Sequence, residues 1–442
     1  MQNIDDERLI LSSIKPIRER ISKHKAGSPV GLISVCSSHP EVIRSALKFS
    51  RDENCFLLIE STCNQVNQFG GYTGQTPAEF VAKLKRELSG FSGQVPSIAL
   101  GGDHLGPYPW RSQPAAEAMG HASKLVEDYV SAGYRKIHLD ASMRCVDDPE
   151  GPLDVQVSAQ RAAELCRAAE QASERTGLEC VYVIGSEVPT PGGDQEGAQA
   201  MQVTSVEDLR DTIRETRKAF YGQGLESAWE RVIAVVVQPG VEFSDQSVHD
   251  YRPSQSEALP RFIEGDTGLV YEAHSTDYQT PGALKNLVRD HFMILKVGPE
   301  LTFQYREAVF ALERIEKELS EYRSNMKISR VSEVIEGEML RDPGYWEDYY
   351  HGDEGYLSFA RKYSLSDRVR YYWSRDSVQD ALDQLMENLT SVEVPLGLVS
   401  QYLPRQYRKV REGELRRHPE AWIEDKIASV LEKYLRAASL DA

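Results

Sequence analysis

At 442 residues the chain exceeds a small domain and has room for a barrel of about 300 residues plus a helical appendage. Its formal charge of -17 excludes a broad nucleic-acid footprint, although a local basic pocket for a phosphorylated small molecule remains open. No uninterrupted apolar run of about 18 residues occurs, which excludes a spanning helix, and six scattered cysteines without a CxxC pair point to a reducing cytoplasm rather than a disulfide framework.

In chain order, residues 1–29 read as an amphipathic lead-in helix ending at Ala26-Gly27-Ser28-Pro29; the charged stretch Met1 to Ile21 is unlike a secretory signal. Eight apolar runs follow: Val30 to Val35, Cys55 to Glu60, Pro96 to Leu100, Lys136 to Asp140, Val181 to Ile184, Val232 to Val237, Leu269 to Glu272 and Phe292 to Val297. Each is short and rich in Val, Ile and Leu, and helical spacing fills most of the gaps, as in Pro114 to Ala132 and Gln156 to Arg175. Buried parallel strands joined by crossover helices are the expected result, a TIM (β/α)8 barrel over about residues 30–325. Residues 326–442 carry helical patterns at Ser329 to Arg341, Ser366 to Trp373, Ser377 to Asn388 and Trp422 to Ala438, so an α-helical C-terminal extension packed on the barrel is expected.

In such a barrel the carboxyl ends of the strands carry the chemistry, and here they carry polar signatures. Strand three leads into Gly101-Gly102-Asp103-His104-Leu105-Gly106-Pro107, where Asp103 offers a carboxylate for proton transfer and His104 an imidazole for a metal; a plain turn is the alternative. After strand five, Glu187 follows an apolar run and is either a candidate catalytic or metal-binding carboxylate or a member of a buried ion pair. After strand seven, His274 is a candidate metal ligand, while Ser275 and Thr276 offer donors for a phosphate or caps for the next helix. Gln238 ends strand six as a candidate ligand or hydrogen-bonding amide. Asp140 is a candidate acceptor for a substrate hydroxyl or a support behind the metal ligands, Lys296 is a candidate substrate or phosphate contact, and Gly298 a candidate substrate contact. Asn64 and Gln65 lie in an amide- and hydroxyl-rich loop suited to a polyhydroxylated ligand, with Gly70, Gly71 and Gly74 permitting closure. His39, His121, His138, His249, His291 and His351 lack converging partners in sequence and are left out of the metal set; the side of the sheet that His138 takes depends on the phase of the pleat.

At these signatures the sequence closely resembles the GatZ/KbaZ family, the second subunits of class II D-tagatose-1,6-bisphosphate aldolases. The matching segments include Asn64 to Thr73, Gly101 to Pro107, Lys136 to Ser142, Tyr182 to Pro189, Val237 to Phe243, Val270 to Thr280 and Ile294 to Pro299, and continue through Tyr363 to Arg368, Val394 to Gly397 and Gln401 to Pro404. The resemblance implies either of two activities. One is a metal-dependent D-tagatose 6-phosphate 4-epimerase working by retro-aldol and aldol steps, with His104, Glu187, His274 and Gln238 around a divalent metal and Asp103 moving the proton. The other is a non-catalytic subunit that activates and stabilises a separate class II aldolase chain. The epimerase is the leading expectation, with zinc the first metal and manganese or another divalent ion the alternative. A phosphorylated ketohexose and a class II aldolase subunit are the expected partners, self-association is open, and neither nucleic acid nor membrane is expected. A kinase label, also attached to such proteins, finds no support: no glycine-rich loop ending in Gly-Lys-Ser/Thr is present.

Overall fold

Short β-branched segments buried on both faces cannot be half-solvated strands, and they form a closed parallel barrel in the computed structural model. The structure describes residues 13–185, 202–265, 268–323 and 326–439. The barrel strands are β1 (Leu32–Val35), β2 (Phe56–Thr62), β3 (Ser97–Leu105), β4 (Lys136–Leu139), β5 (Val181–Ile184), β6 (Val232–Val236), β7 (Val270–Ala273) and β8 (Phe292–Val297). Each pairs in parallel with its sequence neighbours, and β1 pairs with β8 to close the ring.

Side chains alternate along each strand between the barrel interior and the helical shell. On β2, Phe56 and Leu58 belong to an inner apolar cluster with Leu32, Ala99, Val181, Val183, Ala234, Val236 and Val270, whereas Leu57 and Ile59 join the larger core beneath the helices. The inner cluster is completed by Ile17 and Ile21 of α1 (Lys15–Lys25), so the lead-in helix plugs the floor of the barrel. Ile17 is completely buried there, worth roughly 1.5–3 kcal/mol.

The shell contains α2 (Pro40–Asp52), α3 (Pro77–Ser89), α4 (Ala115–Ala132), α5 (Val155–Thr176), α6 (Val206–Gly222), α7 (Pro281–Arg289) and α8 (Pro299–Tyr322). Their ends follow local chemistry. Thr76 and Glu79 form a capping box at the start of α3, Asp154 and Ser205 cap α5 and α6, and α4 and α5 stop at Gly133 and Gly177 in left-handed conformation.

Beyond α8 lie α9 (Val331–Arg341), α10 (Glu354–Tyr363), α11 (Asp376–Thr390), α12 (Leu396–Tyr402), α13 (Pro404–Glu412) and α14 (Pro419–Ala438). The last helix returns to pack on α2, α7 and α8, and the Tyr434 hydroxyl donates to the Thr276 carbonyl at 2.6 Å. None of the described helices is long and apolar enough to cross a membrane.

Two local expectations change. The third strand does not stop at Leu100 but continues to Leu105, with an irregular register against β4 between Gly102 and Leu105. The glycines make this extension fit. A Cβ on Gly101 would lie 2.8 Å from the Glu60 side chain, and one on Gly106 would lie 1.6 Å from the Asp140 carbonyl oxygen. The expected helix at Ser366 to Trp373 shrinks to one 3-10 turn, Arg368–Tyr371. Asp367 takes φ 46°, and its buried carboxylate accepts from Thr302 Oγ1 at 2.6 Å and pairs with Arg306 at 3.2 Å, drawing the chain onto α8.

Candidate functional site

Pleat alternation places a polar layer directly above the apolar floor. Continuing inward from Phe56 and Leu58 comes Glu60; from Lys136, the same face of β4 continues to His138 and Asp140; from Val270 come Glu272 and His274. Ile137 and Leu139 face the shell, and their apolar character therefore fixes the phase that sends His138 inward.

The lower part of this layer is a completely buried charge network. Lys136 Nζ lies 2.9 Å from Glu60 and 2.5 Å from Glu272; Lys296 Nζ lies 2.7 Å from Glu60, 2.9 Å from Asp103 and 3.5 Å from Glu272. Burial alone would raise the Asp103 and Glu272 carboxyls. The ammonium groups nearby outweigh it, with Lys296 the main opponent at Asp103 and Lys136 at Glu272, and hold both carboxyls well below the usual range. Burial would lower Lys296, but the carboxylates, Asp103 first, hold it well above its usual value. Glu60, Asp103 and Glu272 thus face Lys136 and Lys296 in one buried layer whose upper members, Asp103 and Lys296, reach the cavity.

Immediately above, Asp103, His138, Glu272 and His274 each offer one ligand atom, and these atoms lie within 4.8 Å of one another. All four are buried. His138 Nδ1 is 3.1 Å from Asp103 and also accepts from the His104 backbone N–H at 3.2 Å, while its buried Nε2 has no hydrogen-bond partner. An unpartnered imidazole nitrogen at this position fits a metal, because burying a polar atom with nothing to bind is otherwise costly. Burial lowers His274 to about 3, leaving a neutral imidazole; with Nε2–H donating to Glu272 at 3.1 Å, Nδ1 keeps its lone pair. Mixed nitrogen and oxygen donors of this kind are able to hold a divalent cation.

The sequence-derived candidates are distributed around this cluster. His274 and Asp103 belong to it. His104 stands beside it, its ring centroid 4.7 Å from that of His274, at φ 50° on the bulged end of β3. Its Nδ1 is 2.8 Å from Asp140, and although burial lowers it, Asp103 and Asp140 together raise its pKa above the usual histidine value. Asp140 is spent behind His104 and on Ser142, at 2.6 Å, and does not line the cavity. Gln238 is not brought to the cluster: its amide oxygen accepts from the backbone N–H groups of Gly240 and Val241, both at 2.9 Å. Glu187 lies outside the described residues.

A cavity of about 420 Å³ opens above the cluster. Asn64, Gln65, Ser275, Lys296 and Gly298 line it, together with Asp103, His104 and His274. Gln65 is bound to backbone on both sides of its amide, accepting from Thr62 and donating to Cys36. Thr276 is completely buried, and its hydroxyl donates to the Lys296 carbonyl at 2.6 Å. Arg370, Tyr371 and Trp373 from the C-terminal region complete the far wall.

Sequence reasoning missed His138 and Glu272 as members of the buried four-residue cluster, and Glu60 and Lys136 as members of the charge network. The parity of Lys136, His138 and Asp140 against Ile137 and Leu139 was the available signal for the fourth strand. That parity also turns Lys136 inward, but nothing local points to its partner Glu60, 76 positions away in sequence.

A family model described as D-tagatose-1,6-bisphosphate aldolase subunit GatZ/KbaZ-like matches residues 17–439. The chain belongs to the GatZ/KbaZ-like family. It is 50% identical over 422 residues, covering 95% of this chain and 98% of the relative, to the D-tagatose-1,6-bisphosphate aldolase subunit GatZ of Klebsiella pneumoniae. Among solved structures, a probable tagatose 6 phosphate kinase from Sinorhizobium meliloti 1021 aligns with TM-score 0.84 and 40% identity, covering 92% of this chain and 100% of that one. The barrel and its helical extension are therefore shared by relatives of this GatZ/KbaZ-like chain across almost their full lengths.

Proposed function

We propose that this GatZ/KbaZ-like chain is a subunit of a class II D-tagatose-1,6-bisphosphate aldolase, working with a separate catalytic chain, and that its own barrel mouth binds a divalent metal and a phosphorylated ketohexose. The observation that carries the subunit role is the 50% identity to the Klebsiella GatZ subunit over nearly both full lengths. The mouth supports the ligand reading through its buried four-residue cluster and the adjoining cavity. Six unpaired cysteines support a reducing, cytoplasmic setting.

The same cluster favours a second reading, a D-tagatose 6-phosphate 4-epimerase. Asp103, His138, Glu272 and His274 would hold the metal, which when bound polarises a substrate carbonyl. Asp103 lines the cavity and would accept the C4 hydroxyl proton as the C3–C4 bond breaks, in which case His138, Glu272 and His274 are left to hold the metal. The products of that step are glyceraldehyde 3-phosphate and the enediolate of dihydroxyacetone. Rotation of the aldehyde, re-formation of C3–C4 and return of the proton from Asp103 invert C4. His104, its Nδ1 held 2.8 Å from Asp140 and its ring lining the cavity, is placed to offer a hydrogen bond to the developing oxyanion.

Size-exclusion chromatography of the chain with a class II tagatose-bisphosphate aldolase, joined to assays of each alone and together, separates the readings. The subunit role predicts co-elution and increased aldolase turnover. Conversion of D-tagatose 6-phosphate to D-fructose 6-phosphate by the chain alone, lost in Asp103→Asn and in His104→Ala, would establish the epimerase instead.

A further inference from the structure

A barrel of this kind commonly seats a phosphate on the loops after its seventh and eighth strands and on a nearby helix N-terminus. In this chain that place is filled from within. The Asp277 carboxylate accepts from the backbone N–H groups of Gly298 at 2.9 Å and Glu300 at 2.8 Å, at the start of α8. The nearby ammonium group is also committed, since Lys296 is surrounded by Glu60, Asp103 and Glu272. A phosphoryl group entering this cavity needs another cation.

Two further basic side chains line the cavity, Lys83 and Arg370. Burial first, then the Arg44 and Arg86 charges, hold the Lys83 ammonium, on α3, below its usual value against the opposing Glu87 and Glu41 carboxylates. Arg370 forms no ion pair with a carboxylate among the described residues. Its guanidinium donates to the Ser366 carbonyl, to the Asp367 carbonyl at 3.1 Å and to the Tyr371 hydroxyl at 2.8 Å. Those partners are neutral and orient the fork, and the Asp367 carboxylate, whose field also reaches Arg370, is itself ion-paired with Arg306. Tyr72, from the loop after β2, packs edge-on against Tyr371 with centroids 4.7 Å apart, and Ser38, from the loop after β1, lines the same cavity. Burial would raise the Tyr371 phenol, but Arg370 and Arg368 outweigh it and hold the phenol below its usual value, consistent with positive charge at this wall.

We propose that Arg370, with the hydroxyls of Ser38 and Tyr72, is the seat for the phosphoryl group of the ligand. This rests on the sugar-phosphate reading of the mouth. The C-terminal region thereby supplies a ligand-binding residue to the cavity that His274 and Asp103 also line.

Calorimetric titration of the metal-loaded full chain with D-tagatose 6-phosphate and with D-tagatose tests the assignment. Arg370→Gln is expected to weaken the phosphorylated ligand about 10- to 100-fold, with unphosphorylated D-tagatose and metal content unchanged. Lys83→Gln is expected to behave as wild type. Unchanged D-tagatose 6-phosphate affinity in Arg370→Gln, or the loss appearing in Lys83→Gln instead, overturns the seat while leaving the sugar-phosphate reading intact. Absence of D-tagatose 6-phosphate binding by the wild-type chain overturns both. Because Arg370 also braces its own turn, the double variant Ser38→Ala, Tyr72→Phe reads the same seat independently: a loss of about tenfold or more confined to the phosphorylated sugar is expected, and no loss contradicts the assignment.

Discussion

His138 is the residue whose role changes most between sequence and structure. Its inward face, unpartnered Nε2 and contact with Asp103 make it part of the proposed metal set. His138→Ala is expected to reduce zinc affinity at least about tenfold, read by competition with a chromophoric chelator. Retention of wild-type affinity would remove His138 from the set. Asp277 makes a different prediction. Burial, reinforced by the neighbouring Glu300 charge, pushes its carboxyl up to about 7 despite two backbone N–H donors. An unfolded aspartate titrates near ~3.9, so between the two values the folded chain binds the extra proton and rising pH destabilises it. The melting temperature should therefore fall between about pH 4 and pH 7 from this group and level off above. Asp277→Asn, which keeps an acceptor for both N–H groups, should flatten that part of the profile; an identical slope in the variant would refute the assignment.

At the scale of elements, the extension of β3 past Leu100 is what carries Asp103 and His104 into the barrel axis. It depends on residues with no side chain where strands and neighbours crowd together. Gly106 is the strictest case, because an added Cβ would overlap the Asp140 carbonyl. Gly106→Ala should cost about 3 kcal/mol or more and lower metal content, since relief of the clash must move β3 or the Asp140 segment. Denaturant unfolding and metal analysis measure both effects, and a variant with wild-type stability would show that the close approach is not required. The strands themselves were legible because each is a short Val, Ile and Leu run between helical patterns. Their exact ends were less so. A Gly-Gly-Asp-His sequence reads as a turn locally, and only the long-range fit of Gly101 under Glu60 makes it a bulged strand. Likewise Ser366 to Trp373 has helical spacing, but the buried Asp367–Arg306 pair overrides it.

Across the whole molecule, the site is assembled from both ends of the chain. Helix α1 closes the barrel floor with Ile17 and Ile21, while α14 packs against α2, α7 and α8 and fixes the carbonyl of Thr276 through Tyr434. Trp422 and Tyr434 are completely buried, so removal of residues 419–442 is expected to prevent cooperative folding rather than yield a free barrel. Circular dichroism melting of the truncated chain checks this; a cooperative transition near that of the intact chain would contradict it. The sequence located the polar mouth because its signatures follow the strands. It could not show which polar groups are already committed. Lys296 to carboxylates, Gln238 to its own loop and Thr276 to backbone became visible only when distant segments were brought together.

The most direct test of the account is the turnover of a class II aldolase catalytic chain on D-tagatose 1,6-bisphosphate, measured with and without equimolar amounts of this protein. The account predicts a stable complex and a clear rise in aldolase turnover. No association and no stimulation, with the protein alone converting D-tagatose 6-phosphate to D-fructose 6-phosphate, would contradict the subunit role and establish an independent epimerase.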